Sequence, residues 1–216
     1  KFLRLIFIQL GKHSPINLRP LFKVPKKRNP KGIALIISGL IQDYHRTSEA
    51  QFLNDARDLA EWLLTQRCDH SKWKYSCWGY NFDWQARAFY VPSGKPNIIT
   101  TYYVSSALYD LGKLIKDEKF VTVALDSAKF ISLHLYAELK ERCFFRYIPE
   151  ENTLVHNANL IGAAWCAFAG KELGDTKMIE QSLKATRLSV KEQTKEGAWL
   201  YGSNKFHNFI DGFHTG

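Results

Sequence analysis

Gln193-Thr-Lys-Glu-Gly197-Ala-Trp199 follows the last amphipathic run of the chain and reads Gln-x-x-x-Gly-x-Trp. A glutamine amide can bond backbone groups left open at a helix end and lie flat against an indole. Glycine tolerates the left-handed conformation that stops a helix. The stretch is read as punctuation between helical hairpins. It speaks to architecture and is silent on chemistry.

Two kinds of helix precede it. Gly32 to Ile41, Tyr102 to Ile115 and Ala158 to Ala169 are apolar nearly all round, which requires burial on several sides. Between them run amphipathic stripes at helical spacing. One is Phe52, Ala56, Leu59, Ala60, Leu63 and Leu64; another is Phe120, Ala124, Leu125, Ala128, Ile131 and Leu135; the third is Ile179, Leu183 and Val190. The order, buried then amphipathic, occurs three times. Thr101, Asn157 and His214 mark inner-helix starts at intervals of roughly 57 residues, the signature of stacked hairpins.

The pattern predicts an all-α fold, an α/α toroid in which a buried inner ring is wrapped by an amphipathic outer ring. Ser48-Glu-Ala-Gln51 reads as a capping box before the first outer helix, and Gly174-Asp175 as a stop followed by an N-cap. No segment reads as a competing strand. Residues 1–28 are expected to form an N-terminal extension and 29–216 the toroid domain. Phe213-His-Thr-Gly216 stops where a further inner helix is expected, so the barrel is expected to be incomplete at its C-terminal side. A partial ring leaves apolar inner-helix surface uncovered.

A chain of 216 residues with 45% apolar content can bury a substantial core. Its net charge of +9 would attract nucleic acid, anionic lipid or acidic polysaccharide. The cluster Lys23, Lys26, Lys27, Arg28 and Lys31 is read first as a solvated basic linker, and no nucleic-acid partner is expected. Phe2 to Leu10 is too short to span a bilayer and lacks a signal-peptide pattern. Cys68, Cys77, Cys143 and Cys166 form no evident disulfide framework, which points to a reducing, cytoplasmic setting; Cys166 reads as a core thiol. Cys68, His70 and Cys77 match no closed zinc motif, so neither metal nor cofactor is expected. No phosphate loop, dinucleotide fingerprint or nucleophile elbow is present.

Inner-to-outer connections such as Lys116-Asp-Glu-Lys119 and Leu173-Gly-Asp-Thr176 are short. The outer-to-inner connections, Cys68 to Ile99, Glu138 to Val155 and Lys195 to Phe213, are long. Long loops on one face of a rigid scaffold are where sites usually lie. Trp78-Gly-Tyr80-Asn-Phe82-Asp83-Trp84-Gln-Ala-Arg87 is dense in aromatics, with a carboxylate and a guanidinium embedded. Aromatic faces suit sugar C–H groups, and arginine can fork onto a uronate or sulfate. The same aromatics could instead plug the gap between hairpins. Phe145-Arg-Tyr147 and Trp199-Leu-Tyr201 repeat the aromatic-x-Tyr element and favour that structural role; Asp83, Trp84 and Arg87 have no counterpart and are the better functional candidates.

Polar residues also recur at inner-helix starts: Thr100-Thr101-Tyr102, His156-Asn157-Ala-Asn159 and Asp211-Gly-Phe-His214-Thr215. Those N-termini carry positive dipole ends that favour an anion, although Thr, Asn and Asp are also ordinary caps. An aspartate with a histidine could serve as an acid–base pair. Asp83 and Asp211 could instead be paired carboxylates for glycoside hydrolysis, and spacing alone decides neither. The catalytic candidates are Asp83, Asp211 and His214. The binding candidates are Trp78, Tyr80, Trp84, Arg87, Thr101, Asn157, Asn159, Trp199 and Tyr201.

Several segments carry a resemblance: Ser14-Pro-Ile-Asn-Leu-Arg-Pro20, Asn29-Pro-Lys-Gly32 and Cys77-Trp-Gly-Tyr-Asn-Phe-Asp-Trp-Gln85, then Val155-His-Asn-Ala-Asn-Leu160, Gly197-Ala-Trp-Leu-Tyr-Gly202 and Ile210-Asp-Gly-Phe-His-Thr-Gly216. Together the chain resembles bacterial exopolysaccharide-biosynthesis proteins of the α/α-toroid type. Squalene cyclases, protein prenyltransferases and six-hairpin glycosidases share that toroid. The resemblance implies a role in making or modifying cell-surface glycan, with a polysaccharide or oligosaccharide and other glycan-synthesis proteins as partners. It supplies no catalytic residue. Lyase, hydrolase and epimerase chemistry stay open, as does a non-catalytic scaffold that binds glycan or protein. Terpenoid cyclisation is disfavoured, because no Asp-x-Asp-Asp acid motif occurs.

Overall fold

Asn29-Pro30, Asn97 and Val155 each precede a long inner helix, and each inner helix turns back into an outer one. The computed structural model describes residues 2–85, 89–210, 212 and 214. Helix α1 (Phe2–His13) lies in the N-terminal arm. The first hairpin is α2 (Pro30–Thr47) with α3 (Ala50–Thr65). A short α4 (His70–Trp73) opens the long connection to α5 (Ile98–Ile115), which pairs with α6 (Glu118–Phe130). The third hairpin is α7 (His156–Leu173) with α8 (Thr176–Lys191). Each inner helix packs on its own outer partner, and α5 is flanked by α2 on one side and α7 on the other. This is the α/α toroid arrangement expected from the helix pattern.

Caps fix the helix starts. Asn29 accepts a hydrogen bond from Gly32 N (3.2 Å), with Pro30 at the first helical position. Asn97 accepts from Thr100 N (2.8 Å) and Asp175 from Met178 N (3.1 Å). Gly174 ends α7 at φ 69°, as the Gly-Asp pair suggests. The hairpin turns are tight because small residues face them. A Cβ on Gly112 would stand 2.9 Å from Val121 Cγ2, and one on Gly170 would stand 3.0 Å from Asp175 O. Residues of all six long helices meet in one buried core, including Ile37, Leu63, Leu108, Phe120, Cys166 and Ala185. Ser127 ties three helices inside it: its hydroxyl meets Ser105 Oγ of α5 at 2.6 Å and accepts from Trp165 Nε1 of α7 at 3.0 Å. Leu35 and Ile36 of α2 and Phe168 of α7 remain exposed.

Three local expectations are corrected. Ser48 does not open α3; it caps the end of α2 at φ 59°, its N–H bonded to Tyr44 O. Gln51 turns instead to Asp55 (2.7 Å), so no capping box forms. Second, the outer stripe stays helical and buried to Leu135, but changes from α to a π turn at Ile131–Leu135 and leads into a strand the sequence did not suggest, β3 (Tyr136–Leu139), antiparallel to β4 (Arg142–Phe145). A smaller hairpin pairs β1 (Trp84–Gln85) with β2 (Tyr90–Val91). Both hairpins are too short to show an alternating signal. Third, Gly197 does not stop α8, which ends at Lys191. At φ 85° it turns the loop beyond, where Gln193 Nε2 donates to its carbonyl (2.6 Å). Trp199 Nε1 reaches back to Ser189 O (2.7 Å), satisfying a helix-end carbonyl.

Among the described residues, no helix is long and apolar enough to cross a membrane, and no three His, Cys, Asp or Glu side chains gather as metal ligands. All four cysteines are free thiols.

Candidate functional site

The starts of α2, α5 and α7 meet the long connections around a cavity of about 680 Å³. Asn29 and Lys31 come from the start of α2, Ile99 and Tyr103 from α5, and Asn157 and Ile161 from α7. The first long connection contributes Tyr80, Phe82 and Trp84. The second brings Tyr147, and the third Tyr201 and His214.

The loop carrying the aromatics is held from below. Trp78 is fully buried, and its Nε1 donates to Leu63 O (2.8 Å). Thr101 Oγ1 accepts from Trp78 N and donates to Trp78 O. Gly79 pairs with Pro96, and a Cβ there would fall 2.3 Å from Lys95 O. Only glycine permits that approach, and it sets Tyr80 at the cavity. The Tyr80 ring stacks on Phe82 (5.2 Å) and meets Trp84 edge-on (6.0 Å); Trp84 in turn packs on Tyr147 (5.4 Å). The Tyr80 and Tyr147 hydroxyls lie 2.9 Å apart. Burial pushes both phenols above the ordinary tyrosine range, Tyr147 further because it also faces Tyr80, so both keep their protons at neutral pH.

Polar groups also line the cavity. Lys31 Nζ sits 4.6 Å over the Tyr103 ring, and burial lowers its pKa. Asn157 Oδ1 is buried with no hydrogen-bond partner. Helix α7 has no side-chain cap; its first N–H, that of His156, donates to Tyr201 O instead (3.1 Å). His214 packs edge-on against Tyr201 at 4.7 Å, and Tyr201 also stacks on Phe209 (5.1 Å).

The structure thus brings Tyr80, Trp84, Asn157, Tyr201 and His214 to one cavity. Trp78 and Thr101 lie beneath it, holding the loop. Asn159 is fully buried: its Oδ1 accepts from Phe145 N (2.8 Å), and its Nδ2 donates to Ala185 O and Ser189 Oγ (2.9 Å each). Trp199 is at the end of α8. Asp83 is exposed and accepts from Ser93 N (2.9 Å) at the open end of the β1–β2 hairpin. Arg87 and Asp211 lie outside the described residues. His156 is also internal: burial lowers its pKa against the pull of Glu192, and its Nδ1 meets Ser189 Oγ at 2.9 Å.

Lys31, read from sequence as part of a basic linker, Tyr147, read as a structural aromatic, and Tyr103 line the cavity without having been binding candidates. For Lys31 a signal existed. Asn29-Pro30 is an N-cap followed by a proline at the first helical position. Starting α2 at Pro30 rather than Gly32 puts Lys31 in its first turn, level with the other inner-helix starts.

No family model matches the chain, and neither does any curated protein. Solved structures do. Cellobiose 2-epimerase from Bacillus thermoamylovorans superposes with a TM-score of 0.66 at 13% identity, over 85% of this chain and 50% of that one. An unsaturated glucuronyl hydrolase from Bacillus sp. GL1, responsible for the degradation of glycosaminoglycan, gives 0.61 at 12% identity over 85% and 50%. A family 76 glycoside hydrolase (mannosidase) from Bacteroides thetaiotaomicron gives 0.55 at 12% identity over 85% and 48%. The chain spans about half the length of these structures. What the likeness establishes is the fold: three consecutive hairpins of the α/α toroid on which those enzymes are built.

Proposed function

We propose that this chain forms part of a glycan-active toroid protein that takes an anionic sugar into the cavity at its inner-helix starts, in bacterial cell-surface or exopolysaccharide biosynthesis or modification. One observation carries the reading. Tyr80, Phe82, Trp84 and Tyr147 line a single cavity together with Lys31 and with Asn157 from the first turn of α7. Flat aromatic faces suit the C–H surface of a pyranose. The free Asn157 carbonyl oxygen can accept from a sugar hydroxyl. Lys31 and the helix dipole suit a carboxylate or sulfate. About 680 Å³ is within the usual size of small-ligand sites.

His214 is the described lining residue suited to proton transfer, as a lyase, hydrolase or epimerase would require. A second reading, a binding scaffold without turnover, is favoured by a different observation. Among the described residues no carboxylate lines the cavity, and Asp83 is engaged with Ser93. The test is titration of the purified protein with uronate-containing and neutral oligosaccharides, followed by mass spectrometry of the products. The proposal expects uronate oligomers to bind at least tenfold more tightly than neutral ones, with Trp84→Ala and Lys31→Met each weakening binding. Equal affinity for both classes, or affinity indifferent to both substitutions, would refute the cavity assignment. Binding without any product would select the scaffold.

A further inference from the structure

Residues 1–31 contain nine lysines and arginines and no aspartate or glutamate; residues 32–216 contain 21 of each charge. The entire net charge therefore resides in the N-terminal arm and the first turn of α2. The same arm displays large apolar side chains to water: Phe7 is 60% exposed, Leu10 60%, Ile16 70%, Leu21 74% and Phe22 57%. The α1 helix and the turn after it hold an apolar cleft between them, lined by Ile6, Leu10 and Leu18. Among the described residues, the arm's hydrogen bonds up to Val24 are all internal, such as Phe22 N to Leu18 O and Val24 N to Arg19 O. Among the described residues, none of these apolar side chains belongs to the toroid core or packs against it.

We infer that this arm is an interfacial anchor that docks the toroid on an anionic lipid surface. Exposed aromatic and aliphatic side chains interleaved with uncompensated cations are what a headgroup region accommodates: cations meet lipid phosphates while apolar groups enter the acyl boundary. A polyanion such as nucleic acid or acidic polysaccharide would satisfy the charge but offers no hydrocarbon to Phe7, Leu10 and Phe22. Over its twelve residues, Phe2–His13, helix α1 is roughly 18 Å long against a hydrocarbon core of about 30 Å, a length suited to lying in the headgroup region. The inference is independent of the sugar cavity, because the apolar side chains that carry it and the lysines tested below lie outside the cavity lining, to which Lys31 alone of the nine cations belongs.

The test is co-sedimentation of the full chain with vesicles of phosphatidylcholine alone and with one third phosphatidylglycerol. Binding is expected to favour the anionic vesicles at least tenfold and to weaken as salt rises. Replacing Lys12, Lys26 and Lys27 by serine should weaken it on the order of a hundredfold, from about fivefold per charge. Arg28 is left in place because it packs over the Trp62 ring at 5.7 Å. Replacing Phe7, Leu10 and Phe22 by serine should abolish the binding that persists at high salt, with the helical circular dichroism of the toroid unchanged. Absence of vesicle binding overturns the inference. So does equal binding to neutral and anionic vesicles, or capture by a soluble polyuronate that the apolar substitutions leave intact. A dimer in light scattering that these substitutions dissolve would assign the arm to a second copy instead.

Discussion

Replacing Asn159 by alanine separates a structural hub from a cavity residue. Its side chain makes three buried hydrogen bonds, to Phe145 N, Ala185 O and Ser189 Oγ, and so joins α7, α8 and β4. Alanine strands the Phe145 N–H, whereas the Ala185 carbonyl, inside α8, keeps its helical partner and loses only a second one. Each unsatisfied buried group costs about 1–3 kcal/mol; Ser189 Oγ retains His156 as a partner and adds little. With the two lost amide bonds added, the expected loss is about 2–3 kcal/mol, a sizeable part of a typical 5–15 kcal/mol domain stability. For a chain of this size that corresponds to a drop of about 10 °C in Tm. Asn159→Asp should be worse at neutral pH, since it loses both amide donors and buries a charge. Urea unfolding followed by circular dichroism measures the loss, and titration below the unfolding transition measures sugar affinity. A loss under 1 kcal/mol, or a collapse of sugar affinity with stability intact, would refute the hub and return Asn159 to the cavity.

Three further outcomes are expected. Gly162→Val forces a Cβ to within 2.3 Å of Ile98 Cδ1 and 3.1 Å of Phe145 Cβ, so thermal unfolding should show a loss of about 2–3 kcal/mol or more; an unchanged Tm would contradict the close α5–α7 approach. Tyr147→Phe removes the hydroxyl pair with Tyr80, and should cost about 1 kcal/mol in denaturant unfolding while leaving the aromatic wall in place. His156 has its pKa lowered by burial, so the unfolded chain takes up its proton first. Its contribution is complete above the unfolded value near 6.5 and is lost as pH falls through the folded value; His156→Gln should flatten the stability slope between pH 7 and 5, and an unchanged slope would refute this.

The alternation of all-apolar and amphipathic runs determined the helix pairs, and Gly174-Asp175 marked a turn that the structure reproduces. Both signals are local, because periodicity and capping depend on residues within a few positions of each other. The π turn and the β3–β4 hairpin were not legible. The stripe through Leu135 keeps helical spacing, and the strand that follows pairs with residues up to nine positions away, as in Tyr136 against Phe145. At the cavity, sequence nominated residue types but could not assign their faces. Trp78 and Tyr80 are two residues apart, yet one is buried under the loop and the other faces the cavity, because Thr101 and Leu63 O hold the first and the Gly79–Pro96 approach turns out the second. Asn157 and Asn159 divide in the same way between cavity and core. The order of helices was fixed by the spacing of apolar residues along the chain, whereas the membership of the cavity was decided by three distant helix starts packing side by side, a relation no local pattern encodes.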